Sequence, residues 1–197
     1  MGFFAFGGGT APMNASSTEA SAPVATTTIA MKTSTPIVRL AGDAAEPLSV
    51  MLTAYNALPE QTDSNPSVTA SGAPSNPEVV MARSSDLAEY LPYGTIVAVE
   101  YAGKDSEGCR FNTVSGLIGY RVIADAMNAR MHDKVDVLLD HTETVEVHGK
   151  QMNPALALGL CHGVSIRPVG RIKISEMPAT QEELRKLVEG DALAINR

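Results

Sequence analysis

The sequence predicts a mainly β protein, a small closed or nearly closed barrel of six or seven short strands with short helices and an extended N-terminal arm. Three observations predict it. From residue 48 onward, short apolar runs rich in Val and Ile recur, bounded by Gly, Pro, Asn and Ser. Few stretches carry a helical period, and no repeat has the length of a solenoid or propeller unit. Residues 1–47 differ in kind: they are rich in Ala, Thr, Ser, Gly and Pro, and no aromatic follows Phe6 until Tyr55. Such a segment buries too little apolar surface to offset its ordering entropy, so it reads as an arm or linker that a partner would have to order. The chain has 197 residues, room for one domain with a core and extensions. The expected division is an arm at 1–47, a barrel at 48–176 and a C-terminal helix and tail at 177–197.

The elements follow in order. Residues 48–57 form a first strand, and 61–77 a long Ser-, Asn- and Pro-rich loop. Residues 79–82 are a short buried strand, and 85–91 a helical turn capped by Ser84 or Ser85. Pro92-Tyr93-Gly94 is a turn into a β-branched strand at 95–101. Two more strands are expected at 118–124 and 135–139. Asn153-Pro154 opens a short helix, Asn as N-cap and Pro at the first position. Residues 164–166 and 171–174 read as two strands separated by Pro168 and Gly170. Thr180 to Glu183 is a capping box opening a helix that stops near Gly190, with Leu184, Leu187 and Val188 on one apolar stripe.

Composition narrows the partners. A net charge of −7 opposes nonspecific binding to nucleic acid or to an anionic membrane surface. No apolar run approaches the roughly 18 residues of a membrane span. The first residues lack the basic start and long apolar stretch of a signal peptide. Cys109 and Cys161 are either one disulfide or two buried thiols. No cofactor or metal motif is found. His132, His141 and His148 match no zinc spacing, His162 and Cys161 would point to opposite faces of a strand, and Gly7-Gly8-Gly9 lacks the Lys of a phosphate loop.

The chemistry concentrates at 123–139. Asp125 ends one apolar run and Asp136 interrupts another. A carboxylate inside such a run is costly unless something pairs with it or uses it. Two of them converging on one cleft are the minimum equipment for acid/base work on a sugar bond. The alternative is structural: one caps a turn and the other makes a buried hydrogen bond.

Five segments in this order resemble the three-aspartate (3D) domain, known from muralytic stationary-phase survival proteins and from the barrel of membrane-bound lytic transglycosylase A. They are Thr53-Ala54-Tyr55, Thr69 to Gly72, Leu91 to Thr95, Ala124 to Arg130 followed by Val135-Asp136, and Ala157 to Gly159 with the strand after it. The resemblance covers roughly residues 50–175 and implies a six-stranded double-psi β-barrel. It also implies that Asp136 is the acid/base, with Asp125 and Asp86 as the other two aspartates. Tyr55, Thr53, Thr69 and Asn128 would contact the sugar. Where the family often has glycines after the second aspartate, this chain has Ala126-Met127-Asn128, which leaves less room for backbone to approach a ligand.

The function implied is lytic transglycosylase-type cleavage of peptidoglycan glycan strands, in a cell envelope or a phage virion. The alternative is a structural double-psi barrel in a phage particle or envelope assembly, with or without residual muralytic activity. The arm suggests protein partners or a homo-oligomer.

Overall fold

The computed structural model describes residues 46–62 and 65–194, without the side chains of 191–194. The expected arm therefore lies outside the described residues, apart from 46 and 47. The strands are β1 (Leu48–Tyr55), β2 (Val80–Arg83), β3 (Thr95–Glu100), β4 (Tyr120–Ala126), β5 (Lys134–Leu138), β6 (Val145–Val147), β7 (Lys150–Met152) and β8 (Cys161–Arg171). The helices are α1 (Phe111–Val114), α2 (Pro154–Leu158) and α3 (Gln181–Ala194), with single 3-10 turns at Ser85–Leu87, Ser115–Leu117 and Ile174–Glu176.

Six strands close a barrel in the order β1-β5-β2-β4-β3-β8. β1 runs parallel to β5, and β2 parallel to β4; the remaining neighbours are antiparallel. Consecutive strands β1 and β2 therefore flank β5, and consecutive strands β4 and β5 flank β2. These are two interlocked ψ-loops, the double-psi topology. An approximate two-fold relates β1-β2-β3 to β4-β5-β8, since the hydrogen-bonding neighbours of one half map onto those of the other.

β2 and most of β3 and β4 are buried on both faces, which explains their near-continuous apolar runs. Neighbouring residues go to different clusters. Met81, Ile123 and Val137 join a core with α1 and α2. Val80, Val122 and Leu138 join a second core covered by α3, whose Leu184 is fully buried. Gln181 at the start of α3 donates to the carbonyls of Ile118 and Tyr120 at 3.0 and 2.9 Å, fixing the helix to the barrel.

Several local expectations hold. Asn153 caps α2, accepting from the Ala155 and Leu156 amides. At the expected turn, Gly94 has φ +85°, and a Cβ there would lie 2.2 Å from the Ile172 carbonyl oxygen. Only glycine fits that close approach. Others need correction. β8 is one continuous strand through Pro168 and Gly170: a register shift opposite Ile96 and Val97 absorbs the irregularity as a bulge. α3 runs past Gly190 to Ala194. The β6-β7 hairpin, not among the expected strands, lies outside the barrel. Cys109 and Cys161 form a disulfide with Cα atoms 4.8 Å apart, so neither is a free thiol and no thiol–imidazole pair with His162 exists. No described helix is long and apolar enough to cross a membrane.

Candidate functional site

The two central aspartates meet across a single residue. Ala82 on β2 is the register partner of Asp136 on β5 and of Asp125 on β4. Thr53 on β1 is the partner of Asp136 on its other side. The row Thr53–Asp136–Ala82–Asp125 thus crosses four adjacent strands, and with neighbouring strands about 4.8 Å apart the two aspartates are separated by roughly 10 Å of backbone. Asp125 reaches this face through a bulge. The β2–β4 register passes from Met81 opposite Ile123 to Ala82 opposite Asp125. Strict alternation would turn Asp125 the same way as Ile123, into the first core; the extra residue re-aims it.

Asp136, Ala82 and Asp125 of this row line an open cleft of about 530 Å³, whose walls include Tyr55, Gln61, Val68, Ala70, Asn128 and Arg130. Thr53, expected to contact the sugar, is not among the lining residues and reaches the site only through its bond to Asp136. Asp136 is half-buried at its floor, where Thr53 Oγ1 donates to Oδ1 at 2.9 Å. Burial pushes its carboxyl up to about 6, against the opposing hydrogen bond from Thr53 and with a further upward push from the negative charge of Asp125. Asp125 is held as an acceptor. Tyr55 Oη donates to Oδ2 at 2.6 Å, and the Ala70 and Ala126 amides donate to Oδ1 at 2.8 and 2.9 Å. Burial, followed by the Asp125 charge, raises the Tyr55 pKa, so the phenol stays a donor. One carboxyl is therefore protonatable near neutrality, and the other is a fixed acceptor beside it.

The remaining expected site residues divide. Asn128 lines the cleft, and its Oδ1 accepts from the Arg130 amide at 3.1 Å, closing a local turn. Thr69 is buried, and its hydroxyl bonds to Ser71 and the Ala73 carbonyl; it shapes the loop whose next residue, Ala70, grips Asp125. Asp86 is not among the residues lining the cleft. It sits on the 3-10 turn after β2 and accepts from the Asp133 amide at 2.9 Å, with His132 Nδ1 3.7 Å away. Burial would raise its carboxyl, but the bonds from the Asp133 amide and Ser84, with His132 nearby, hold it below the usual carboxylate range. The displacement has a physical cause: Asp86 fastens the entry to β5, where Asp133 adopts φ +51°.

The sequence reading missed the Ala70 amide, since a backbone donor leaves no side-chain signal. It also missed Arg130, a surface-type residue in a polar loop. Buried Arg121 was unmarked too. It is fully buried and donates to carbonyls of Ile118, Pro77, Leu138 and Leu117, locking the barrel's turns together.

A second groove of about 480 Å³ lies beside α3. Its charges are paired with one another, Arg167 with Glu100 at 2.6 Å and Arg185 with Glu182 at 2.8 Å, so none of its lining charges is unpaired. Among the described residues, no three His, Cys, Asp or Glu side chains are placed to hold a metal ion. No protein-family model matches the chain, and no characterised protein matches it in sequence.

Proposed function

We propose that the protein cleaves peptidoglycan glycan strands as a lytic transglycosylase-type enzyme, with Asp136 as the single general acid/base. The observation that carries this reading is a carboxyl raised to about 6 on the floor of an open cleft, with a second, firmly bonded carboxylate across one alanine. A group poised near neutral pH gives and takes a proton with little penalty in either direction.

The chemistry needs no other protein acid. Asp136 protonates the glycosidic oxygen, the bond from C1 to that oxygen breaks, and the oxocarbenium-like sugar carries the positive charge. The Asp136 carboxylate then takes the proton from the sugar's own 6-hydroxyl. Its oxygen closes onto C1, giving an anhydro ring and returning Asp136 to its acid form, with no water consumed. Asp125 would lie near the developing positive charge and stabilise it electrostatically. Thr53 orients the Asp136 carboxyl. The disulfide suits an oxidising compartment such as the cell envelope, where this substrate is found.

The test is digestion of purified sacculi by the wild type and by Asp136→Asn, with mass spectrometry of the released sugars. Anhydro ends are expected from the wild type alone. Release by both proteins, or by neither, removes Asp136 from this role.

A further inference from the structure

Arg130 stands in the cleft wall with the two aspartates. It is exposed, and its guanidinium makes no ion pair or hydrogen bond to any described residue. The other arginines around grooves are committed: Arg167 and Arg185 to glutamates, Arg83 to the Leu91 carbonyl and the face of Tyr93. Arg130 is also the only cation lining this cleft among the described residues.

Its backbone is held in place on both sides. The Met127 amide donates to the Arg83 carbonyl at 2.9 Å, and the Met131 amide to the Asn128 carbonyl at 2.9 Å. The Asn128 side chain accepts from the Arg130 amide itself, and the Asp86–Asp133 bond fastens the loop where it enters β5. The base of the side chain is thus fixed relative to Asp136 while its planar head stays open to a ligand. A guanidinium presents paired N–H donors that match a carboxylate. In a protein of net charge −7, with two acids already in the cleft, a neutral glycan offers such a cation no charge to pair with. An anionic one gains an ion pair that offsets repulsion from the acids.

We propose that Arg130 is a specificity-determining residue that binds a carboxylate on the glycan, selecting acid-bearing strands over neutral ones. The inference rests on the glycan-cleaving reading above. The carboxylate has two sources in this polymer, the lactyl ether of the sugar and the peptide stems, and the two are separable.

Binding is measured by titration calorimetry on the non-cleaving Asp136→Asn protein, with and without Arg130→Gln or Arg130→Lys. Three ligands of equal length serve: strands with intact stems, strands stripped of stems by an amidase so that lactyl carboxylates are free, and a neutral chito-oligosaccharide. Arg130→Gln is expected to weaken binding of acid-bearing strands about tenfold, Arg130→Lys less, and neither to alter binding of the chito-oligosaccharide. Weakening confined to stem-bearing strands assigns the stem carboxylates; weakening confined to stripped strands assigns the lactyl group. Equal weakening on all three ligands, or none on either acidic one, overturns the proposal. If the wild type digests sacculi while Arg130→Gln changes no affinity, this inference alone falls. If the wild type leaves sacculi intact and the Asp136→Asn protein binds no strand, both fall.

Discussion

Asp136 is subject to two opposed demands. Its carboxyl is raised from an ordinary 3.8 to about 6, so the folded state holds the proton more tightly than the unfolded chain. The stabilising contribution is fully present below pH 3.8 and is lost as pH rises through about 6. At about 1.4 kcal/mol per unit, ionisation at pH 8 costs roughly 3 kcal/mol. Asp136→Asn is therefore expected to be more stable than the wild type by up to about 3 kcal/mol at pH 8 and nearly equal to it at pH 3.5, as read by urea denaturation at both values. Equal stabilities at pH 8 would show that the carboxyl is not desolvated. The wild type's cleavage rate should fall above pH 6, because the acid form is what protonates the leaving oxygen. At this scale the sequence was informative where charge broke an apolar run: Asp125 stood out because it ends one such run, and Asp136 because it interrupts another. The partners that give each its character were not legible. The Tyr55 hydroxyl lies 70 positions from Asp125, and the Ala70 donor is backbone.

At the scale of elements, the apolar strands and the short loops with strong punctuation were legible, and the irregularities within the strands were not. Asn153-Pro154 and Pro92-Tyr93-Gly94 announced a cap and a turn through residues with few conformational options. Gly94→Ala must force a left-handed backbone and a clash with the Ile172 carbonyl, and β8 ends where that contact holds β3. The variant should lose at least about 2 kcal/mol in thermal or urea unfolding; a loss under 0.5 kcal/mol would mean that the turn relaxes. Pro168 misled in the other direction. Proline removes a strand donor, which suggested two strands, yet the bulge opposite Ile96 and Val97 lets β8 continue. The bulge in β4 was equally silent. It is one extra residue in an apolar run, and it decides which core face Asp125 looks toward. Asp86 shows the same limit: its place in the chain suggested a third cleft acid, and its hydrogen bond to Asp133 makes it a fastening at the start of β5.

For the whole molecule, the barrel class was legible in the alternation of short apolar runs and turns. That alternation does not report long-range pairing, and the disulfide is the clearest case. Cys109 and Cys161 are 52 positions apart; they join the loop before α1 to the start of β8. Closing a loop of that length in the unfolded chain is worth about 4 kcal/mol in the chain-entropy model. Replacing both cysteines by alanine should lower the unfolding free energy by 2–4 kcal/mol, or by about that range on reduction, while sacculus digestion below the melting transition persists. Unchanged stability on reduction would mean that residual structure already restricts the unfolded chain there.

The approximate two-fold of the barrel has a consequence for how a polymer lies in it. The symmetry pairs Thr53 with Asp125 and Asp136 with Ala82, so matching places in the two halves hold unlike groups. A fully symmetric floor would look the same to a strand entering from either end. This floor does not: on one side a ligand meets a proton donor backed by a hydroxyl, and on the other a methyl group followed by a clamped anion. Under the proposed reading, a sugar chain, whose two ends also differ, has one productive orientation on a scaffold that is otherwise nearly reversible.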